Sequence, residues 1–331
     1  MAADDFTWLD GERLVRFGAG ALADAPGLLA GRGFEGYALL TTRRAGAAAP
    51  ALVAGADVVL EVPDGGVPEA AAAVRDGVAG RPVVALGGGR VVDAAKAIGG
   101  ADGLRVAAVP TTLSGAELTP FHRMPAGVDT FNLVRPALVV ADPALMASQP
   151  MPDLAASAMN ALAHAVEALY TPLANPVAEI AALRAAELIA AGLAGEQPER
   201  TALALGAVLA GYAVGLTGFA VHHAVCQTIV RVCGTPHAQT NAVMLPHFVR
   251  FMESRAPREI GLLGEALGGE AAGRVAALSA RTGVTRLGEL GVTEADLPRV
   301  MEAVAQRGDI AANTPGAPSA DEVRAVIERA L

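Results

Sequence analysis

Histidine is scarce in this chain, and every copy lies in its middle part. The six histidines fall between residues 122 and 247: His122, His164, His222, His223, His237 and His247. Asn160 and His164 are four residues apart in a helical stretch, so both project from one face of that helix. His223 follows a long apolar segment, and His237 follows a Thr-Pro pair at a predicted helix start. We therefore predict that Asn160, His164, His223 and His237 line one catalytic cavity.

The chemistry of such a cavity depends on whether it holds a metal ion. Neutral imidazoles are good ligands for Fe(II) or Zn, so His164, His223 and His237 are candidate metal ligands with an open position for a substrate carbonyl. Asn160 is a poor ligand, which favours a metal-free pocket of hydrogen-bonding and proton-donating histidines. Histidines satisfied inside a protein core are a third interpretation. Glu167 is placed to orient His164 or to cap neighbouring groups.

A second cluster of chemical interest is rich in glycine. The predicted strand Val83 to Leu86 continues into Gly87-Gly88-Gly89-Arg90 and then into a predicted helix from Val91 to Ile98 that carries Asp93 and Lys96. Strand, glycine loop and helix N-terminus together form an anion site, because the backbone N–H groups and the helix dipole meet a pyrophosphate. An ordinary tight turn is the alternative.

Hydroxyl groups follow the next predicted strand. Thr111, Thr112 and Ser114 come directly after Val109-Pro110, at the edge of the sheet where nucleotides bind in parallel α/β domains. Their alternative role is in turns and helix caps. Thr42, Arg43 and Arg44 follow an earlier strand, where no acidic residue stands. The two guanidiniums of Arg43 and Arg44 would tolerate the 2′-phosphate of NADPH. The alternative is that both arginines are exposed and solvated.

These motifs need two kinds of scaffold. Short β-branched runs alternate with alanine-rich stretches up to residue 150, which predicts a parallel sheet covered on both faces, and helical periodicity alone continues after Pro150 and Pro152. We predict a Rossmann-like α/β dinucleotide-binding domain over residues 1–150. An all-helical domain over residues 151–331 would carry the histidine site.

Composition excludes several classes of protein. A net charge of -9 without clustered Lys and Arg argues against nucleic-acid binding. The acidic segment Met1 to Asp10 has no apolar core and cannot act as a signal peptide, so we expect a cytoplasmic protein with Cys226 and Cys233 reduced and buried. The uncharged run Ala202 to Val221 is long enough to span a membrane, but its glycines favour a helix packed inside a helical domain.

Taken together, these motifs resemble the iron-containing alcohol dehydrogenase family, within the dehydroquinate synthase-like superfamily, and most closely its maleylacetate reductase branch. The motifs that carry the resemblance are Gly87-Gly88-Gly89 with Asp93 and Lys96, Pro110-Thr111-Thr112, Asp142-Pro143, Asn160 to Ala168, His222 to Cys226, and Thr235-Pro236-His237. In metal-binding members the ligands are an aspartate and three histidines, which correspond here to Asn160, His164, His223 and His237. The asparagine is typical of the branch that is regarded as not requiring metal.

The resemblance implies hydride transfer from NAD(P)H to a small-molecule substrate, here a maleylacetate-like oxo acid or a related unsaturated carbonyl, in a homodimer. His223 or His237 would hydrogen-bond the developing enolate. The residues expected to bind the cofactor are Thr42, Gly87, Gly88, Gly89, Arg90, Asp93, Thr111, Thr112, Ser114, Leu145 and Ser148.

The chain departs from the family pattern at four positions. Gln227 replaces a histidine and cannot relay a proton, and Val230 and Arg231 replace glycines. Arg90 replaces a serine, so that it contacts phosphate or points outward. Arg231, Arg123 and Gln227 are candidate substrate-binding residues, with exposed helix arginines as the alternative.

Three other functions stay open on the sequence alone. They are a metal-dependent alcohol dehydrogenase using Fe or Zn, a dehydroquinate-synthase-like cyclase, and a nucleotide-binding homologue without activity. The cyclase would need several basic residues around a phosphorylated sugar acid, and the site region is poor in lysine.

Overall fold

The computed structural model describes residues 5–331 and divides into two compact units, Met1–Ser148 and Gln149–Leu331. The first unit contains both strands and helices, whereas all of the second unit is described and contains helices without a strand. This agrees with the predicted α/β domain followed by an all-helical domain. Asp4, part of the acidic N-terminal segment, lies outside the described residues.

A seven-stranded sheet forms the centre of the first unit. Its strands are β1 (Phe6–Asp10), β2 (Arg13–Phe17), β3 (Ala38–Thr41), β4 (Val58–Glu61), β5 (Val83–Gly87), β6 (Val106–Pro110) and β7 (Leu138–Ala141), in the order β1-β2-β7-β6-β5-β3-β4. The neighbours from β2 to β4 pair in parallel, and only β1 runs antiparallel, against β2. The predicted strands correspond to β3 to β7. The β1–β2 hairpin was not predicted, because the acidic N-terminal segment hides its alternation of apolar and polar residues.

Helices cover both faces of this sheet. They are α1 (Ala21–Gly31), α2 (Arg43–Ala48), α3 (Pro50–Ala54), α4 (Val67–Val78), α5 (Gly89–Asp102) and α6 (Pro143–Met146). One core cluster joins α4 and α5 to the sheet, and a second joins α1 and α3 to its other face. Because both faces are buried, the carboxyl ends of the parallel strands are where the sheet can meet a ligand.

Ten α-helices make up the second unit. They are α7 (Met151–Ala168), α8 (Pro176–Ala194), α9 (Arg200–Thr217), α10 (Val221–Cys233), α11 (His237–Met252), α12 (Pro257–Leu267), α13 (Ala271–Ser279), α14 (Leu297–Ala305), α15 (Gly308–Asn313) and α16 (Ala320–Ala330). Three short 3-10 turns, Ala280–Thr282, Leu287–Leu290 and Glu294–Asp296, connect α13 to α14. Helix α7 packs against α8, α9 and α11, so it lies at the centre of the unit.

The apolar segment that raised the question of a membrane forms α9. It is long and apolar enough to cross a bilayer, but 67% of its 18-residue window is buried within the protein. A Cβ atom at Gly206 would lie 2.8 Å from Cγ1 of Ile189 and 3.2 Å from the carbonyl oxygen of Ala185, both on α8. This glycine therefore allows the close approach of α8 and α9, as expected for a helix packed inside a helical domain.

The two cysteines differ in their burial. Cys226 on α10 is a free, fully buried thiol, whereas Cys233 at the end of α10 is free but partly exposed. The expectation that both thiols are buried is thus wrong for Cys233, because the last turn of α10 approaches the surface.

Candidate functional site

Helices α7 and α10 bring two of the predicted site histidines together. The rings of His164 and His223 stack with their centroids 4.7 Å apart and their planes inclined by 23°. The ring of Phe219 lies 4.8 Å from His223 and 5.7 Å from His164. Both histidines are more than 95% buried. An aromatic side chain and two imidazoles therefore form a packed cluster whose two imidazoles are largely shielded from water.

Glu167 fixes the orientation of His223. Its carboxylate is fully buried and accepts hydrogen bonds from Nδ1 of His223 at 2.6 Å and from the His223 backbone N–H at 3.2 Å. The proton of the neutral ring is therefore on Nδ1, and the Nε2 atom, which is buried without a hydrogen-bond partner, carries a lone pair. Of the two roles expected for Glu167, orienting His164 is wrong, and capping neighbouring groups is confirmed, because its carboxylate accepts the backbone N–H of His223 in the first turn of α10.

The neighbouring His222 is a satisfied core histidine. Its Nε2 donates to the carbonyl oxygen of Asn241 at 3.2 Å, and its Nδ1 lies 3.5 Å from Nδ1 of His223. Burial lowers the pKa of His222 to about 3, so its ring is neutral. The third interpretation of the histidines, as satisfied residues of the protein core, therefore applies to His222.

Glu167, His222 and His223 place possible metal-ligand atoms within 4.8 Å of one another. Two ligands of one tetrahedral zinc ion, each bonded at about 2.0–2.2 Å, lie about 3.3 Å apart. The Glu167–His223 contact of 2.6 Å is therefore a hydrogen bond, and these two atoms do not ligate one ion together in this geometry.

The third predicted histidine is the first residue of α11, as the sequence indicates. His237 is exposed, and the fully buried Asn241 donates its amide N–H groups to the carbonyl oxygen of His237 at 2.8 Å and to its Nε2 at 3.3 Å. If the side-chain amide of Asn241 were reversed, its oxygen would face the carbonyl oxygen of His237, and two acceptors would repel each other. Nε2 of His237 is thus an acceptor, and the ring proton is on Nδ1. Sequence reasoning missed Asn241, although it stands four residues after His237, as His164 stands after Asn160.

Burial keeps the imidazoles neutral. Desolvation lowers the pKa of His164 and of His223, and the neighbouring histidines lower both further. Among the residues predicted to form the site, three buried atoms lack a hydrogen-bond partner: Oδ1 of Asn160, Nδ1 of His164 and Nε2 of His223. A buried polar atom without a partner is costly. Because Oδ1 of Asn160 and Nε2 of His223 are acceptors, they suit a ligand that supplies hydrogen-bond donors or a positive charge.

The candidate substrate-binding residues occupy different places. Gln227 lies on α10 one turn after His223, where its Oε1 is 3.4 Å from both terminal nitrogens of Arg307. Arg307 also forms an ion pair with Asp309 at 2.6 Å. Arg231 is exposed near the end of α10, and Arg123 is an exposed residue of the first unit. Sequence reasoning missed Arg307, which reaches Gln227 only through the packing of α15 on α10.

In the first unit, the glycine loop after β5 and the hydroxyl-rich loop after β6 touch each other. A Cβ atom at Gly88 would lie 3.0 Å from Cγ2 of Thr112, and one at Gly89 would lie 3.0 Å from Cβ of Ser114. The absence of side chains on these glycines therefore lets the two loops pack closely at the N-terminus of α5. The Oγ1 atom of Thr112 is buried there without a hydrogen-bond partner, so a ligand oxygen at this point would satisfy it.

Several other residues predicted to bind the cofactor also have structural partners. Thr42 caps α2 by accepting the Ala45 N–H, and Arg90 forms an ion pair with Asp64 at 2.7 Å. Asp93 lies 2.8 Å from Nζ of Lys96. Thr111 and Leu145 are buried, and the hydroxyl of Ser148 lies 3.4 Å from a terminal nitrogen of Arg44.

Comparison with known families matches almost all of the chain. The profile described as iron-containing alcohol dehydrogenase matches residues 16–150, and the profile of the C-terminal part of the Fe-containing alcohol dehydrogenase family matches residues 154–331. The two profiles meet between the two compact units.

Individual relatives give a narrower comparison. The chain is 39% identical to maleylacetate reductase 1 of Rhodococcus opacus over 66% of its own length and 65% of that protein. It is 37% identical to maleylacetate reductase 2 of Cupriavidus pinatubonensis over 63% of this chain and 61% of that protein. These alignments cover slightly less than two thirds of each relative. The crystal structure of maleylacetate reductase from Rhizobium sp. superimposes with a TM-score of 0.86 at 28% identity, covering 100% of this chain and 99% of that one.

Proposed function

The chain belongs to the iron-containing alcohol dehydrogenase family, and on that premise we propose that it is an NAD(P)H-dependent reductase. Its substrate would be a maleylacetate-like oxo acid or a related unsaturated carbonyl, reduced without a resident metal ion. The observation that carries the proposal is the glycine loop at the N-terminus of α5, beside which the buried hydroxyl of Thr112 has no partner.

The first unit would hold the cofactor. The backbone N–H groups at the start of α5 and the helix dipole suit a pyrophosphate, and Gly88 and Gly89 let the backbone approach it. Thr112 would donate its hydroxyl proton to a phosphate or ribose oxygen. When bound, the reduced nicotinamide supplies the hydride.

The second unit would supply the groups that stabilise charge on the substrate. His237 carries its proton on Nδ1, because Asn241 occupies its Nε2, so it can donate to the oxygen that becomes an enolate. His223 instead offers a lone pair at Nε2 and suits a hydroxyl group or an ordered water. Of the two enolate donors proposed from the sequence, the tautomers favour His237. Because His237 is exposed, solvent water beside it can supply the proton that completes the reduction, while the neutral ring keeps its own Nδ1 proton.

Asn160 supports turnover without metal. Its neutral amide replaces an anionic ligand, and the buried carboxylate of the same helix, Glu167, is already engaged with His223. The second candidate is a metal-dependent alcohol dehydrogenase, which the three partnerless atoms of Asn160, His164 and His223 favour. Nitrogen and oxygen lone pairs in a dry pocket also fit Zn or Fe(II).

A substrate screen with and without chelator separates these functions. Purified protein would be dialysed against EDTA and assayed for NADH and NADPH oxidation with maleylacetate and with simple aldehydes. We expect chelator-insensitive turnover of the oxo acid. Activity lost to EDTA and restored by Fe or Zn would establish the metal-dependent enzyme, and dinucleotide binding without turnover would contradict both.

The assembly and location of the protein follow the same proposal. We propose a homodimer in the cytoplasm acting on a small molecule. Light scattering coupled to size exclusion tests the first point, since a monomer at micromolar concentration would contradict it. Fractionation of the host cell tests the second.

A further inference from the structure

An acidic substrate needs a positive charge that the buried histidines do not supply. Burial lowers the pKa of His164 and of His223, so both rings are neutral. An oxo acid carries a carboxylate at neutral pH, and a carboxylate that leaves water without a charged partner is costly to bind. A substrate of this class therefore requires a cationic side chain beside the histidine pair.

Arg307 is placed to supply that charge. It is the N-cap residue of α15, and only 21% of its side chain is exposed. Its Nη1 atom lies 3.4 Å from the carbonyl oxygen of Ala224, the residue that follows His223 on α10. Its terminal nitrogens also contact Gln227, which is on the same face of α10 as His223 and about 6 Å further along the helix. The guanidinium is therefore within reach of a small molecule bound at His223.

The other end of α15 is also tied to the site. Asn313, the last residue of α15, donates from its side-chain amide to the carbonyl oxygen of Phe219 at 2.9 Å. The ring of Phe219 packs on both His164 and His223. Two separate contacts therefore hold α15, and Arg307 with it, along the part of α10 that carries the site.

One edge of the guanidinium is bound strongly. Asp309 accepts from Nε of Arg307 at 2.8 Å and from Nη2 at 2.6 Å, as in a charge-assisted bidentate pair. These hydrogen bonds lower the pKa of Asp309, so the pair stays ionised and the plane of the guanidinium is fixed. Because 43% of the Asp309 side chain is exposed, water screens its negative charge, and Arg307 can still attract a second anion.

The opposite edge of the guanidinium is bound only weakly. Oε1 of Gln227 lies 3.4 Å from both Nη1 and Nη2 of Arg307. In an arginine–carboxylate pair these nitrogens approach the oxygens to about 2.7–2.9 Å, and both bonds are charge-assisted. A neutral amide oxygen therefore stands in the fork where a carboxylate would bind more tightly.

We propose that Arg307 binds a carboxylate of the substrate through the edge that faces Gln227, and that Asp309 positions the guanidinium for this contact. Rotation of the Gln227 amide then turns its N–H group toward the same carboxylate and adds a donor. Arg307 thereby makes the site selective for unsaturated or carbonyl compounds that bear a carboxylate over simple aldehydes. The inference rests on the proposed function, because it assumes that NAD(P)H reduces a substrate bound beside His223.

The test compares an acid with its uncharged ester. Oxidation of NADH and NADPH by the full chain would be measured with maleylacetate and with its dimethyl ester, for the unmodified protein and its variants. Arg307→Gln removes the charge, so we expect KM for the acid to rise roughly ten- to hundredfold, while KM for the ester and for the dinucleotide stays within about twofold. Arg307→Lys keeps the charge without the planar fork and is expected to recover part of the loss.

A second measurement needs no variant. Succinate, a dicarboxylate without a reducible carbonyl or double bond, should inhibit the unmodified protein in competition with maleylacetate, and dimethyl succinate should not. Equal inhibition by the diacid and the diester would overturn the inference.

Arg324→Gln is the matched control, since Arg324 is an exposed arginine paired with Glu328 at 2.8 Å on α16. Its kinetics with both compounds should equal those of the unmodified protein. An Arg307→Gln variant whose KM for the acid matches the control, or whose turnover of acid and ester falls equally, would overturn this inference and leave the proposed function standing. Failure of the unmodified protein to oxidise NADH or NADPH with either compound would overturn both.

Discussion

A carboxylate oxygen of Glu167 lies 2.6 Å from Nδ1 of His223, and both groups are almost completely buried. This contact decides that Nδ1 of His223 carries the ring proton and that Nε2 carries the lone pair. The carboxylate therefore acts on the reaction through the histidine, as a positioning residue.

Replacement of Glu167 should lower kcat without changing cofactor affinity. Glu167→Gln keeps one acceptor oxygen but removes the charge, and we expect a loss of roughly tenfold; Glu167→Ala removes the acceptor, and the loss should approach roughly a hundredfold. Steady-state kinetics with the dinucleotide varied at saturating oxo acid measure both constants. The loss of kcat is larger for Glu167→Ala because without an acceptor at Nδ1 the ring of His223 no longer keeps its lone pair on Nε2.

The control for this series is Glu187→Gln, which removes an exposed carboxylate paired with Arg184 on α8. Its kinetics should be those of the unmodified enzyme, because an exposed helix ion pair contributes little. Equal activity of Glu167→Gln, Glu167→Ala and the control would contradict the positioning role.

The Glu167–His223 contact marks a limit of inference from sequence. Helical spacing predicts that Asn160 and His164 share one face of α7, and the motif places His223 and His237 at the starts of α10 and α11. Spacing cannot predict that the first turn of α10 meets the end of α7. It also cannot separate His222 from His223, since adjacent helical residues differ by about 100° in direction and only tertiary packing selects the face.

In the sheet, too, the features set by neighbouring residues could be predicted, whereas contacts between residues far apart in the sequence could not. The strands β3 to β7 were predictable because each is an apolar run bounded by turns, and all of them except the half-exposed β4 are buried. The sequence does not indicate that Glu61 lies beside Thr41, because the pairing of β3 with β4 brings together two residues that are far apart along the chain. Asn241 was equally hidden by its ordinary residue type.

Replacement of Asn241 should move the proton of His237. Asn241→Asp places an acceptor opposite Nε2, so the proton is expected to shift from Nδ1 to Nε2, which 15N NMR of the histidine ring detects directly. Because the N–H donor then points away from its present direction, we expect kcat to fall by roughly a hundredfold, as for loss of one oxyanion donor. The unchanged 15N pattern of His222 serves as the internal control. A variant with the original His237 tautomer and reduced kcat would contradict this explanation.

A methyl group in the glycine loop should weaken cofactor binding. In Gly88→Ala the new Cβ lies 3.0 Å from Thr112, so it pushes the two loops apart where the pyrophosphate is proposed to bind. We expect KM for the dinucleotide to rise roughly tenfold, with kcat at saturation little changed. Gly27→Ala is the matched control, because that helical glycine has no atom within 4 Å of the added Cβ. Equal KM values for the two variants would argue against phosphate binding at α5.

The fully buried Glu117 should make stability depend on pH. Neither of its carboxylate oxygens has a hydrogen-bond partner, and burial raises its pKa from 4.5 to about 7, although Lys96 and Arg13 oppose the shift. The folded protein therefore holds this proton more tightly than the unfolded chain. Its contribution to stability is complete below pH 4.5 and is lost as the pH rises to about 7. The loss corresponds to about 3 kcal/mol of unfolding free energy.

Urea unfolding of the unmodified protein and of Glu117→Gln at several pH values between 5 and 8 isolates this contribution. The buried histidines act in the opposite direction, because their lowered pKa removes stability as the pH falls below 6.5. That part is common to both proteins, so the difference between them reports Glu117 alone. We expect Glu117→Gln to gain stability relative to the unmodified protein as the pH rises from 5 to 8. Parallel stability curves across that range would show that Glu117 keeps one charge state in both the folded and the unfolded chain.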